Sequence, residues 1–194
     1  MIPCLVSCFI PVRWLALAGL GILLLWLSAS VSCAARQPKP AEPPSSSSAF
    51  ALTSTAFADG QPIPAQYTCK GADTSPPLAI SGLPVGTKSM ALVVDDPDAP
   101  LGTWEHWLLW NIPPSTTVIP AGSVPAGVVS GTNDFKKTGY GGPCPPFGTH
   151  RYFFKLYALD ATLSLAAGAK IKALNKAMDG HVLGQAKLMG TVAH

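Results

Sequence analysis

The chain has 194 residues, of which only 12% are charged, while Gly (18) and Pro (20) make up nearly a fifth. That balance excludes a long-helix or coiled-coil protein and points to one domain of short strands and many turns, preceded by a leader. The formal charge of +3 lies largely in the first 48 residues; from Ala49 onward ten Lys and Arg meet nine Asp and Glu, so no basic stripe is present and nucleic acid is not an expected partner.

Arg13 precedes an uncharged apolar run, Trp14 to Leu27, and the small residues Ser28 to Ala35 follow. A positive flank, an apolar segment and a small-residue region form the layout of an export signal. Three outcomes are open for residues 1–35. Cleavage near Ala34 or Ala35 releases the protein. Cleavage before Cys33 makes a bacterial lipoprotein with the lipid on Cys33. No cleavage leaves residues 14–35 as a span long enough to cross a bilayer. Ser32-Cys33-Ala34 is similar to the end of a lipoprotein box, although Ser30 stands where that pattern has a leucine-like residue. Residues 36–48, rich in Pro and Ser, favour a tether, because such a segment is semi-extended and cannot fold alone. Every outcome puts the domain, residues 49–194, in the cell envelope outside the cytoplasm, with membrane contact through the leader or lipid.

Cys69 and Cys144 remain in the domain. In an oxidising compartment a disulfide between them is the expectation, and two separate buried thiols are the alternative.

Phe50 to Ser54 reads as a first strand, Asp59-Gly60 as a turn and Pro64 to Cys69 as a short extended piece. Ser75 to Leu78 is a proline elbow, and Gly82 to Gly86 a loop. Ser89 to Asp95 is a near-continuous apolar run of strand length, expected to be buried on both faces. His106 to Ile112 is a second such strand, ended by Pro113-Pro114, and Gly127 to Gly131 a weaker one. Arg151 to Leu159 is the strongest, rich in aromatics. Ile171, Leu174 and Met178 share one helical face, with Asp179-Gly180 as the stop. Val182 to Val192 returns as a final strand. Many strands and one helix predict a mainly β, antiparallel sandwich with a small helical cap.

Titratable groups concentrate on two stiff loops. Asp96-Pro97-Asp98-Ala99-Pro100 follows the buried strand, and its prolines preset a bend that carries the carboxylates. His106 lies close behind. The second loop, Gly139 to Pro146, leads to His150-Arg151-Tyr152 at the start of the aromatic strand. From residue types alone the aspartates fit an ordinary Asx-type turn as well as a site. A metal is not expected, because His106 and His150 are 44 residues apart and no H-x-x-x-H occurs. No G-x-S-x-G nucleophile motif is present either.

Asp96 to Pro100 with the following His106-Trp107, and Gly142 to Tyr152, resemble the two signatures of the phosphatidylethanolamine-binding protein family. Within it they are most similar to the bacterial branch named for likeness to Raf kinase inhibitor protein. Tyr67-Thr68-Cys69, Asp73 to Pro77, Gly139 to Gly142, Tyr157 to Asp160 and Gly180 to Leu183 add to the resemblance, which covers Phe50 to Val192. It implies a large antiparallel sheet against a smaller one, Greek-key connected, with a few short helices. It also implies a pocket for a phosphoryl head group, phosphate or acetate, lined by Asp96, Asp98, His106, Pro143, His150 and Tyr152. No cofactor is implied.

Carboxylates beside a bound anion pose a problem of repulsion. Either the imidazoles donate to the anion while the aspartates orient them, or Asp96 is protonated and donates. Arg151 is expected to pair with one aspartate and clamp the two loops. The expected function is a non-enzymatic, exported binder of a small anion or phospholipid head group. The alternatives are a protease- or kinase-inhibitor-type modulator acting through its surface, and a weak hydrolase using His106 or His150 as general base.

Overall fold

The computed structural model describes residues 49–194; the expected leader, tether and Cys33 lie outside the described residues. Eight strands form two antiparallel sheets. The smaller is ordered β1 (Ala51–Thr53), β2 (Leu78–Ser81), β5 (Val118–Ile119). The larger is ordered β6 (Val129–Ser130), β4 (Trp104–Ile112), β3 (Ser89–Asp96), β7 (Thr149–Leu159), β8 (Val182–Ala193). β3 leads to β4 and, after β5 in the smaller sheet, to β6 beside β4; β7 then returns to lie beside β3, which gives the Greek-key order.

All eight residues of β3 are buried. Met90, Leu92 and Val94 face the core between the sheets, with Phe57, Ile80 and Phe154. Ala91 and Val93 face a second core under the helix α1 (Ile171–Met178), with Leu108, Trp110 and Leu174. A strand packed on both faces is apolar along its middle, Met90 to Val94, which is why its sequence there is a run and not an alternation. α1 buries Leu174 and Met178, one turn apart on one face. Its stop is Gly180 at φ 77°, with the His181 amide donating to Met178 O at 3.0 Å.

Three sequence expectations change. Pro64 to Cys69 is not extended: Ala65–Tyr67 is a 3-10 turn, closed by the Tyr67 amide on Pro64 O (2.9 Å) and the Thr68 amide on Ala65 O (3.0 Å). Pro64 sits at φ −58°, the value a turn start needs. Second, β2 and β5 have no counterpart among the expected elements: β2 starts only at Leu78, the end of the expected elbow, and strands of four and two residues are too short to show a period. Third, β4 and β7 begin earlier than expected, at Trp104 and Thr149, because Trp104 pairs with Asp96 and His150 with Val192. Both histidines therefore lie inside the large sheet.

Candidate functional site

The β3–β4 ladder slips twice. At the first slip Asn111 takes φ 58° and its side chain exchanges two hydrogen bonds with the Leu163 backbone (3.0 and 2.8 Å). At the second, pairing steps from Val94–Trp107 to Asp95–Glu105, which leaves His106 as the extra residue. A bulge re-aims side chains, and here it turns His106 onto the face that carries Asp96 and His150.

The loop from Asn133 to Gly142 then fixes the His106 ring. Its Nδ1–H donates to Gly141 O at 2.7 Å, while its own carbonyl accepts from the Gly141 amide (3.0 Å) and from Asn133 Nδ2 (3.3 Å). Buried Asn133 also donates to Gly139 O and accepts from the Lys137 amide. Glycine is required at 141, where a Cβ would lie 2.6 Å from the Phe135 ring, and at 142, where it would lie 2.5 Å from Asp73 Oδ1. Phe135 packs edge-on against His106, with ring centres 5.2 Å apart, and Tyr152 does the same from behind at 5.2 Å. Burial holds the His106 pKa below its ordinary 6.5, against the pull of the Gly141 hydrogen bond and nearby Asp96.

Asp96 spends both oxygens on donors. Oδ1 accepts from the Asp98 amide at 2.9 Å, the Asx-type turn that Pro97 presets, and Oδ2 accepts from His150 Nδ1 at 2.7 Å. Asp98 turns outward and is gripped by Arg151 through Nη2 (2.6 Å), Nε (2.8 Å) and the backbone amide (3.0 Å). The guanidinium draws the Asp98 carboxyl down to about 2. A Cys69–Cys144 disulfide and the Cys69 amide on Pro143 O (3.1 Å) pin the second loop to the 3-10 turn.

These elements enclose a pocket of about 230 Å³ at one end of the large sheet. Buried Asp96, His106 and His150 form its floor, and Ala99, Pro100, Trp104, Phe135, Cys144 and Pro146 its walls. With each Nδ1 tied off, the imidazoles leave Nε2 toward this space. The Trp104 indole N–H is buried and has no partner among the described residues, and the same holds for the Tyr152 hydroxyl. Burial first, and then neighbouring Asp96, raise the Tyr152 pKa, so it remains a protonated donor. Among the described residues no group of three or more His, Cys, Asp or Glu is placed to hold a metal ion.

Of the residues singled out in the sequence, Asp96, His106 and His150 line the pocket. Asp98 and Arg151 brace its outer side, Tyr152 backs the His106 ring, and Pro143 is buried under the disulfide without lining it. Trp104, Phe135 and Asn133 escaped the sequence reading. Trp104 sits two residues before His106, a signal that could have found it; Phe135 and Asn133 belong to a loop with no periodic pattern.

The fold is thus a mainly β, two-sheet Greek-key sandwich with a buried Asp–His pocket at the end of the large sheet. The family model for phosphatidylethanolamine-binding protein matches residues 53–193, and the chain belongs to that family. A UPF0098 protein of Methanothermobacter thermautotrophicus is 53% identical over 144 residues, covering 72% of this chain and 95% of its own. One from Aquifex aeolicus is 45% identical over 144 residues, covering 71% and 84%. Among solved structures, a putative phosphatidylethanolamine-binding protein homologue of Chlamydia trachomatis is 43% identical with a TM-score of 0.72, covering 75% of this chain and 98% of its own. YbcL of Escherichia coli, a new member of the mammalian PEBP family, is 33% identical with a TM-score of 0.71, with the same coverage.

Proposed function

We propose that the protein is an exported, non-enzymatic binder of a small oxyanion, with a phosphoryl head group as the best fit. One observation carries this reading: a single pocket is lined by Trp104, whose buried N–H has no partner among the described residues, and by two imidazoles whose Nδ1 atoms are already bonded. A buried donor without an acceptor is costly and calls for a ligand or water that accepts from it. Asp96 does not oppose the anion as a bare charge, because two donors already occupy its oxygens. It acts as the orienter of His150, the first of the two roles open from sequence. Binding is favoured over turnover because the pocket lining holds no serine or threonine and its one cysteine, Cys144, is in the disulfide.

The apolar walls leave room for more than a bare phosphate, so a head group with a carbon chain attached fits the space. Titration calorimetry with phosphate, phosphoethanolamine and acetate tests the reading. Binding should tighten as pH falls below 6.5, where protonation adds a donor at His106 Nε2. Affinity flat from pH 5 to 8 counts against imidazolium donors.

Export is proposed on the leader, and the disulfide suits an oxidising compartment. Lipid on Cys33 would tether the domain to a membrane; Cys33→Ser should then release it from the membrane fraction. The modulator reading draws support from Leu101 and Phe147, 95% and 61% exposed on the two loops that wall the pocket. A protease panel tests it.

A further inference from the structure

Asp95 and Glu105 lie on the sheet face opposite Asp96 and His150. They are cross-strand partners in the β3–β4 ladder, immediately past the bulge at His106. Both are buried, at 4% and 8% exposure. Lys155 of β7 donates to Asp95 Oδ2. Asp95 Oδ1 and Glu105 Oε2 are buried and have no partner among the described residues. The charged and titratable groups acting on the pair are Lys155 and Tyr157 from β7, Asp134 from the loop after β6, and His106 and Asp96 alongside. Asp134 brings a third carboxylate, its Oδ2 accepting from the Glu105 amide at 2.8 Å. Lys187 of β8 pairs across the ladder with Lys155 and stands over the same Phe153 ring, but only Lys155 bonds an acid here, so three acids share one directly bonded ammonium.

Opposed carboxylates with two orphaned oxygens and a single shared cation hold a proton in preference to a second charge. The ladder is also weakest here, since the bulge has already interrupted it. We propose that the Asp95–Glu105 pair is a proton-binding site that regulates the anion pocket: with the proton bound, β3 and β4 close on each other, and its loss forces them apart at His106 and weakens anion binding. This rests on the anion-binding reading above. Burial, reinforced by Asp95 and Asp134, pushes the Glu105 pKa up to about 7, so the proton is lost near neutrality. The dependence on His106 belongs to a lower range, below 6.5.

The test uses sulfate, whose charge is constant across the range, with the full domain and two variants. Wild-type affinity should fall about fivefold or more between pH 6.5 and 8, the scale of an ordinary coupling. Glu105→Gln should be flat over that interval. Lys155→Met should move the midpoint to higher pH, because Asp95 loses its cation and the pair holds its proton more tightly. An equal fall in E105Q, a flat wild type, or an unmoved midpoint in K155M overturns the proposal. If sulfate binds at no pH, it is the anion reading that fails. The pair is then read from the His106 and Gly141 amide resonances: a titration near pH 7 that vanishes in E105Q supports it, and one that persists overturns it.

Discussion

Asp98 and Arg151 are 53 residues apart in the chain, yet one carboxylate accepts three hydrogen bonds from the arginine. The pair stabilises through a depressed carboxyl pKa. The folded state binds fewer protons than the unfolded one between pH 3.8 and about 2, so the contribution is present above 3.8 and lost as pH falls through that window. Arg151 is half-exposed, which screens the pair. Asp98→Asn should therefore cost about 1 kcal/mol at pH 7 and nothing measurable at pH 2, by denaturant titration at each pH. Glu105 has the opposite sign. Its folded pKa lies above the ordinary 4.5, so stability falls as pH rises from 4.5 to about 7. Glu105→Gln should gain stability over wild type at pH 8 and show little difference at pH 4. Trp104→Phe keeps a ring and removes the orphaned N–H; phosphate affinity should drop about tenfold while the melting temperature of the ligand-free protein does not fall. Asp96, His106 and His150 were legible as residues because polar groups are scarce on this chain and stand out on Pro- and Gly-bounded loops. Trp104 was not, because an indole before an apolar strand looks like core.

Strands explain why those side chains meet. β3 and β7 run side by side from Ser89–Leu159 to Asp95–Phe153, which brings Asp96 and His150 to the same end of the sheet. The central strands could be read from their runs, since burial on both faces leaves an unbroken apolar signature. Phe154 is fully buried between the sheets, against Phe57 with ring centres 5.8 Å apart. Phe154→Ala should cost about 3–5 kcal/mol in chemical denaturation and impair the pocket only through loss of the fold. The bulge at His106 could not be read. Its signal is a change of pairing partner, and β3 alone supplies that partner. Local residue types carry no mark of it.

At the scale of the molecule, the Cys69–Cys144 bond closes a loop with a sequence separation of 75. It joins the 3-10 turn to the pocket wall, and the Tyr140 hydroxyl on Tyr67 O (2.7 Å) reinforces the same junction. Replacing both cysteines by serine should lower stability by about 3–4 kcal/mol, measured as a lower melting temperature matched by wild type under reductant. Much of the fold followed from the sequence by itself. Composition pointed to strands and turns rather than long helices, although the four main strands run 8 to 12 residues; the apolar runs placed the central ones, and the two loops collected the acids and imidazoles. Each of these is a property of neighbouring residues, which is the range over which a sequence speaks plainly. Only the tertiary structure decided which acid does what. Alternation sends Asp95 and Asp96 to opposite faces, one toward Lys155 and Glu105 and the other toward His150. That division depends on register and on a bulge, both set by strands distant in the chain, and it separates the pocket-lining Asp96–His150 pair from the buried Asp95–Glu105 pair.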